Sequence, residues 1–166
     1  MNPSVFDPRL DLKIERVVDV PRELVWRAWT EAEHLMPWFC PLPWTTVDCR
    51  IDLRPGGRFH TVMRSPEGQE FPNEGCYLEV VPGERLVWTD ALQAGYRPSA
   101  RGHLTDAGGS YITGMLVLES VGNQTKYSAY VFHSDEAGQK KHAAMGFAEG
   151  WGAALDQLVA HCKAAM

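Results

Sequence analysis

Between residues 45 and 133 the chain writes short apolar runs separated by turn residues, and only after them, over about residues 135–162, does one long helical pattern appear. No other feature restricts the fold as much. Strands joined by "RPGG" (54–57), "PGE" (82–84) and the pair Gly122 and Asn123 must run antiparallel, because such short turns cannot carry a chain across to a parallel neighbour. A sheet with one apolar face has to be covered, and the C-terminal helix is the only element large enough to cover it.

The rest of the chain fills in around that order. "LDLKIERVVDV" (10–20) alternates Leu12, Ile14 and Val18 as a first strand. Pro21 suits the first position of a short helix whose apolar face carries Leu24, Val25, Ala28 and Trp29. Thr30 and Glu33 have capping-box spacing, which predicts a second short helix stopped by Pro37. "SPEGQEFPN" (65–73) reads as a turn, 91–110 as a long loop that acts as a lid, and Ser134 as the cap of the final helix. The sequence therefore predicts an α+β domain: one strand, two small helices, about six antiparallel strands and a long C-terminal helix. Residues 1–10 read as a flexible tail and 11–166 as a single domain, with a cleft between the curved sheet and the helix it wraps.

Composition excludes several functions. A chain of 166 residues, 45% hydrophobic, can bury roughly two thirds of its unfolded surface and needs no staples. The four cysteines show no CxxC pair and no metal-ligand spacing with the six histidines, so neither a metal nor a cofactor is expected. With no signal peptide in view, a reduced, cytoplasmic protein is the expectation. A net charge of −5 without a basic cluster leaves out nucleic acid and anionic membrane as partners, and no apolar run is of spanning length.

Four stretches carry a resemblance: "VDVPRELVWRAWTEAEHLMPWF" (18–39), "DLRPGGRF" (52–59), "YLEVVPGERLVWTD" (77–90) and "MGFAEGWGAALDQL" (145–158). In this order they resemble the heat-shock-protein-90 ATPase activator homologue-like family of the START and birch-pollen-allergen-like (SRPBCC, helix-grip) superfamily. The resemblance implies a helix-grip fold, a curved sheet closed on its C-terminal helix around a hydrophobic pocket. Relatives use such pockets for lipids, sterols, plant hormones and polyketides, sometimes with cyclase or aromatase chemistry.

The candidate ligand-binding residues are Trp38, Phe39, Phe59, Met63, Tyr77, Trp88, Phe147 and Trp151. Trp38 and Phe39 lie in a proline-punctuated loop that the resemblance places near the cavity entrance, where rings on a rigid loop form an apolar wall. On "RFHTVMR", Phe59, Thr61 and Met63 share one face and His60 the other; periodicity leaves open which face is inward. Trp26 and Trp29 read as core. On a helical wheel Gly146 and Gly150 fall on the flank away from the apolar stripe, while Gly152 sits at its edge, where a strand can approach closely. No nucleophile, phosphate-loop or metalloprotease motif is present, so His60, Asp90 and His133 are the candidate proton carriers. The function expected is binding of a small hydrophobic or aromatic molecule between sheet and helix. A cyclase or aromatase-type enzyme using the same pocket, and a chaperone-ATPase co-regulator or other protein-interaction module, are the alternatives; a homodimer is open.

Overall fold

The computed structural model describes residues 6–100 and 111–166. Alternating residues of β1 (Asp11–Val18) lay Leu12 and Ile14 against the helices, and the strand pairs with β9 (Gln124–His133) through Ile14 opposite Ala129. Between them in sequence come α1 (Arg22–Thr30), α2 (Ala32–Leu35), β2 (Thr45–Ile51), β3 (Arg58–Arg64), β4 (Glu70–Val81), β5 (Arg85–Thr89), β6 (Leu92–Gln93), β7 (Arg97–Pro98) and β8 (Ile112–Val121). After β9 follow α3 (Glu136–Ala144) and α4 (Phe147–Ala165). Seven strands form one antiparallel sheet in the order β1-β9-β8-β5-β4-β3-β2, as the short turns require. Register shifts between Thr46 and Asp48 and between Tyr77 and Glu79 interrupt β2 and β4. Such bulges bend a strand and raise its twist, which lets the sheet curve around α4.

The core lies inside that curve. Val25, Ala28 and Trp29 of α1, Leu86 and Trp88 of β5, Leu116 and Leu118 of β8, and Leu155, Leu158 and Cys162 of α4 form one buried cluster. Full burial of a side chain of this kind contributes about 1.5–3 kcal/mol. The outer face of the sheet is polar over β2, β3 and β4, where Arg58 pairs with Glu74 and Arg85 with Glu79, and aromatic at β9, where Tyr130 stacks on Phe132.

Six local expectations change. The final helix is two helices: Gly146 takes φ +90°, a left-handed conformation, and starts α4 after a break at Met145. Its cap at the other end is Asp135, which accepts from the Gly138 amide at 2.7 Å, not Ser134. The Thr30 capping box does not form, because the Thr30 hydroxyl bonds back to the Trp26 carbonyl at 2.7 Å and Glu31 stands at the cap; Pro21 caps α1 rather than opening its first turn. β4 begins at Glu70, so "EFPN" is strand. Pro72 is tolerated there because this part of β4 pairs with β3 alone, β5 joining only from Cys76, so a missing amide breaks no second ladder. The first part of the expected lid is a ribbon of β6 and β7 whose Gly95 amide bonds the Gly56 carbonyl at 2.8 Å, docking it on the 54–57 turn. The remainder, 101–110, lies outside the described residues, as does 1–5 of the expected tail.

Two glycines serve close approach in different ways. A Cβ at Gly114 would sit 2.4 Å from Cζ2 of the buried Trp88 ring, whereas a Cβ at Gly152 would meet only the tip of Arg16, whose Nη2 would be 2.6 Å away. A ring wedged in the core cannot retreat; the end of a flexible, half-exposed arginine can. Gly114→Ala is therefore expected to lose about 1–3 kcal/mol in urea unfolding. Gly152→Ala is expected to hold or gain up to about 1 kcal/mol from helix propensity. Equal losses in the two variants would contradict this account.

Candidate functional site

A cavity of about 200 Å³ opens between the sheet and α4. Each wall is set by a local feature. α1 supplies Trp29; the loop after α2 supplies Trp38, Phe39, Cys40 and Pro41; Met63 comes from β3 and Tyr127 from β9; α4 contributes Gly150, Trp151 and Ala154. Gly150 and Ala154 are four residues apart and so share one face of α4. Their small side chains leave the space that the rings opposite surround, and Gly150 stands so that an added Cβ would be 4.0 Å from Pro41 Cγ.

The loop is held from two sides. Trp38 donates its indole N–H to the Ala28 carbonyl at 3.2 Å, and Trp29 meets Trp38 and Phe39 edge-on at ring separations of 5.0 and 5.7 Å. From α4, Gln157 accepts from the Leu42 amide at 3.0 Å and donates to the carbonyls of Cys40 at 2.9 Å and Trp38 at 3.3 Å. One side-chain amide thus satisfies three backbone groups of a segment that belongs to no helix or strand.

A second cavity of about 60 Å³ lies beyond Phe39 and Met63, which line both, and is bounded by Phe59, Thr61, Trp88 and Asp90. The Asp90 carboxylate accepts from the Ile112 amide at 2.8 Å. Among the described residues no charged side chain lines the larger cavity. Burial pushes the Cys40 thiol and the Tyr127 phenol up, so both keep their protons at neutral pH. Tyr127 accepts from Trp29 Nε1 at 3.2 Å.

The structure brings Trp38, Phe39, Met63 and Trp151 to the larger cavity, and Phe39, Phe59, Met63 and Trp88 to the smaller one. Tyr77 and Phe147 line neither. Tyr77 is fully buried, stacked on Phe59 at 5.2 Å, with a hydroxyl that has no partner among the described residues. Phe147 packs on Ile112, Val131 and Trp151. His60 stands on the opposite face from Phe59, its Nδ1 2.8 Å from Glu74 but not aligned for a hydrogen bond, and its Nε2 3.5 Å from Asp48. The cavity also uses residues not singled out for it: Trp29, read as core; Tyr127, which shares the inward face of β9 with Ala129; and Gly150, whose flank of α4, shared with Gln157, faces the loop after α2. The fold brings Glu31, Glu33 and His34 within 4.8 Å of one another, a grouping that spacing alone did not reveal. Arg27 already bonds Glu31 at 2.7 Å and holds its carboxyl below the usual range.

Comparison with known proteins agrees with this architecture. The family described as Activator of Hsp90 ATPase homolog 1-like protein matches residues 19–163. A crystal structure from Nitrosomonas europaea is 45% identical, with a TM-score of 0.89 over 95% of this chain and 97% of that one. A crystal structure from Rhodobacter sphaeroides (21% identity, TM-score 0.81, 96% of each chain) and the solution structure of an AHSA1-like protein from Aeromonas hydrophila (21%, 0.67, 94% of each) share the fold. No curated protein matches the chain. Among the described residues no helix is long and apolar enough to cross a membrane.

His133, the remaining proton-carrier candidate, is tied into the frame. Its Nδ1 lies 2.8 Å from the Leu10 carbonyl, which can only accept, so Nδ1 carries the proton and Nε2 receives the Nδ1–H of His142 at 2.9 Å. Burial, with a smaller contribution from His133, pushes the His142 imidazole down from 6.5 to about 4. The unfolded chain therefore binds a proton that the folded chain refuses. Stability is full above pH ~6.5 and falls towards pH ~4, by up to about 3 kcal/mol. Urea unfolding between pH 7 and 4.5 should show this decline, with a shallower slope in His142→Gln; identical slopes would refute it.

Proposed function

The chain belongs to the family of Activator of Hsp90 ATPase homolog 1-like proteins, and from that premise we propose that it binds a small neutral, hydrophobic or aromatic molecule in the ring-lined cavity between sheet and α4. The observation that carries this reading is an uncharged space of about 200 Å³ walled by Trp29, Trp38, Phe39 and Trp151. An apolar cavity of about 150 Å³ accepts benzene, so this one suits a single substituted ring better than a sterol or a fused polyketide. A ligand of about ten heavy atoms at about 0.6 kcal/mol each gives a Kd of roughly tens of micromolar.

Catalysis draws less support from the same geometry. A proton carrier must come within hydrogen-bond reach of the reacting atom. His60 faces outward, His133 is bonded to Leu10 and His142, and Asp90 sits at the smaller cavity beyond Phe39 and Met63. The chaperone reading rests on the family's name alone.

Native mass spectrometry of protein taken directly from cells should show a bound species of single-ring size, lost in Trp151→Ala. Trp151 is only half-buried, so its removal is expected to leave the fold in place, which far-UV circular dichroism of the variant checks. Protein that arrives empty, and whose tryptophan emission responds to neither toluene nor acetophenone, would overturn the reading.

A further inference from the structure

The side-chain N–H, O–H and S–H groups around the larger cavity can be accounted for one by one. Trp29 Nε1 is spent on Tyr127, Trp38 Nε1 on the Ala28 carbonyl, and the Cys40 thiol on Thr46 at 3.4 Å. The loop carbonyls of Trp38 and Cys40 are taken by Gln157. What remains is the proton of Tyr127, a residue only 2% exposed, for which no acceptor exists among the described residues. The indole N–H of Trp151, half-buried at the cavity wall, likewise has no acceptor there. Both unspent groups are donors.

We propose that the ligand presents a hydrogen-bond acceptor, a carbonyl or ether oxygen on a single neutral ring, to the Tyr127 hydroxyl, and that Tyr127 thereby selects among aromatic molecules of similar shape. This rests on the binding reading above and adds the chemical class. A buried hydroxyl donor without a partner is costly, so the molecule that supplies an acceptor is favoured over its hydrocarbon isostere. Burial keeps the phenol protonated and therefore donating. A carboxylate or ammonium would enter a space without a counter-charge, since Arg16 does not line it and pairs with Asp156 at 2.8 Å.

Acetophenone and α-methylstyrene test this directly, because they differ by exchange of a carbonyl oxygen for a methylene. Titrations followed by tryptophan emission, on wild type and Tyr127→Phe, should show acetophenone weakened about tenfold by the substitution and α-methylstyrene unchanged within about twofold. The second probe also reports whether the variant is folded. In parallel, the carbonyl stretch of acetophenone bound to the wild type, read by infrared difference spectroscopy, should move below its value in hexane; this needs no variant. If both probes bind but Tyr127→Phe treats them alike and the stretch stays at its hexane value, Tyr127 has no such role while the ring cavity stands. If neither probe binds the wild type, the cavity reading falls and the inference with it.

Discussion

Trp29 is where the sheet, the first helix and the loop after α2 are joined. Its ring is 1% exposed and lies 5.0 Å from Trp38, 5.7 Å from Phe39 and 5.1 Å from Trp88, while its N–H reaches Tyr127 on β9. α1 has nine residues, too few to be helical on its own in water. What holds it is this insertion, in which one side chain exchanges solvent for ring contacts with a strand and a loop and spends its polar atom on a third element. The loop rings gain their fixed orientation from Trp29 beneath them, and the Gln157 clasp on their backbone then decides how far they stand from α4. Apolar packing sets the inner wall and three hydrogen bonds from one amide set the span.

The space that results follows from size rather than from any missing packing. Across the span from those rings, α4 offers Gly150 and Ala154 on one face, so the walls cannot meet. Two residues on and on the opposite side of α4, at Gly152, the Arg16 side chain fills the place that a Cβ would take. Two glycines two residues apart thus have opposite consequences, one leaving a void and one admitting a strand's side chain. Gly146 separates α3 from this arrangement, so α3 can turn to cover His133 without altering the direction of α4.

How much of this the sequence held can be argued from particular residues. The antiparallel order and the covering helix were legible because turn chemistry and apolar periodicity each act over a few residues. Trp151 was legible from the apolar stripe of the helix, Trp38 and Phe39 were placed near the cavity by the family resemblance, and the face of Met63 was left open by the strand period. The break at Gly146 was not legible, because Phe147 and Trp151 continue an apolar stripe that makes the glycine look like a tolerated cost. Pro72 read as a turn because its place beyond the reach of β5 is a tertiary fact. His60 is the instructive case: its opposition to Phe59 was visible in the strand period, and only the inward face was unknown. Once Phe59 and Met63 are known to face the helices, His60 must face out. Tyr77 and Tyr127 both sit on inward faces, and no local pattern tells which of them lines the cavity, since Tyr77 is covered by Phe59, a tertiary contact.

The burial that encloses this cavity also limits its chemistry. Acid or base catalysis near neutral pH needs a group whose pKa lies near the working pH. Enclosure drives the two protic side chains nearest the rings the wrong way, raising the Tyr127 phenol and the Cys40 thiol so that neither yields its proton. A thiol becomes reactive when a cationic neighbour lowers its pKa, and the neighbour of Cys40 is the Thr46 hydroxyl. The carboxylate of Asp90, at the smaller cavity, is set apart by Phe39 and Met63 and has its oxygen on the Ile112 amide. The side chains nearest the rings of the larger cavity can therefore hold a hydrogen bond, but burial opposes their giving up a proton near neutral pH.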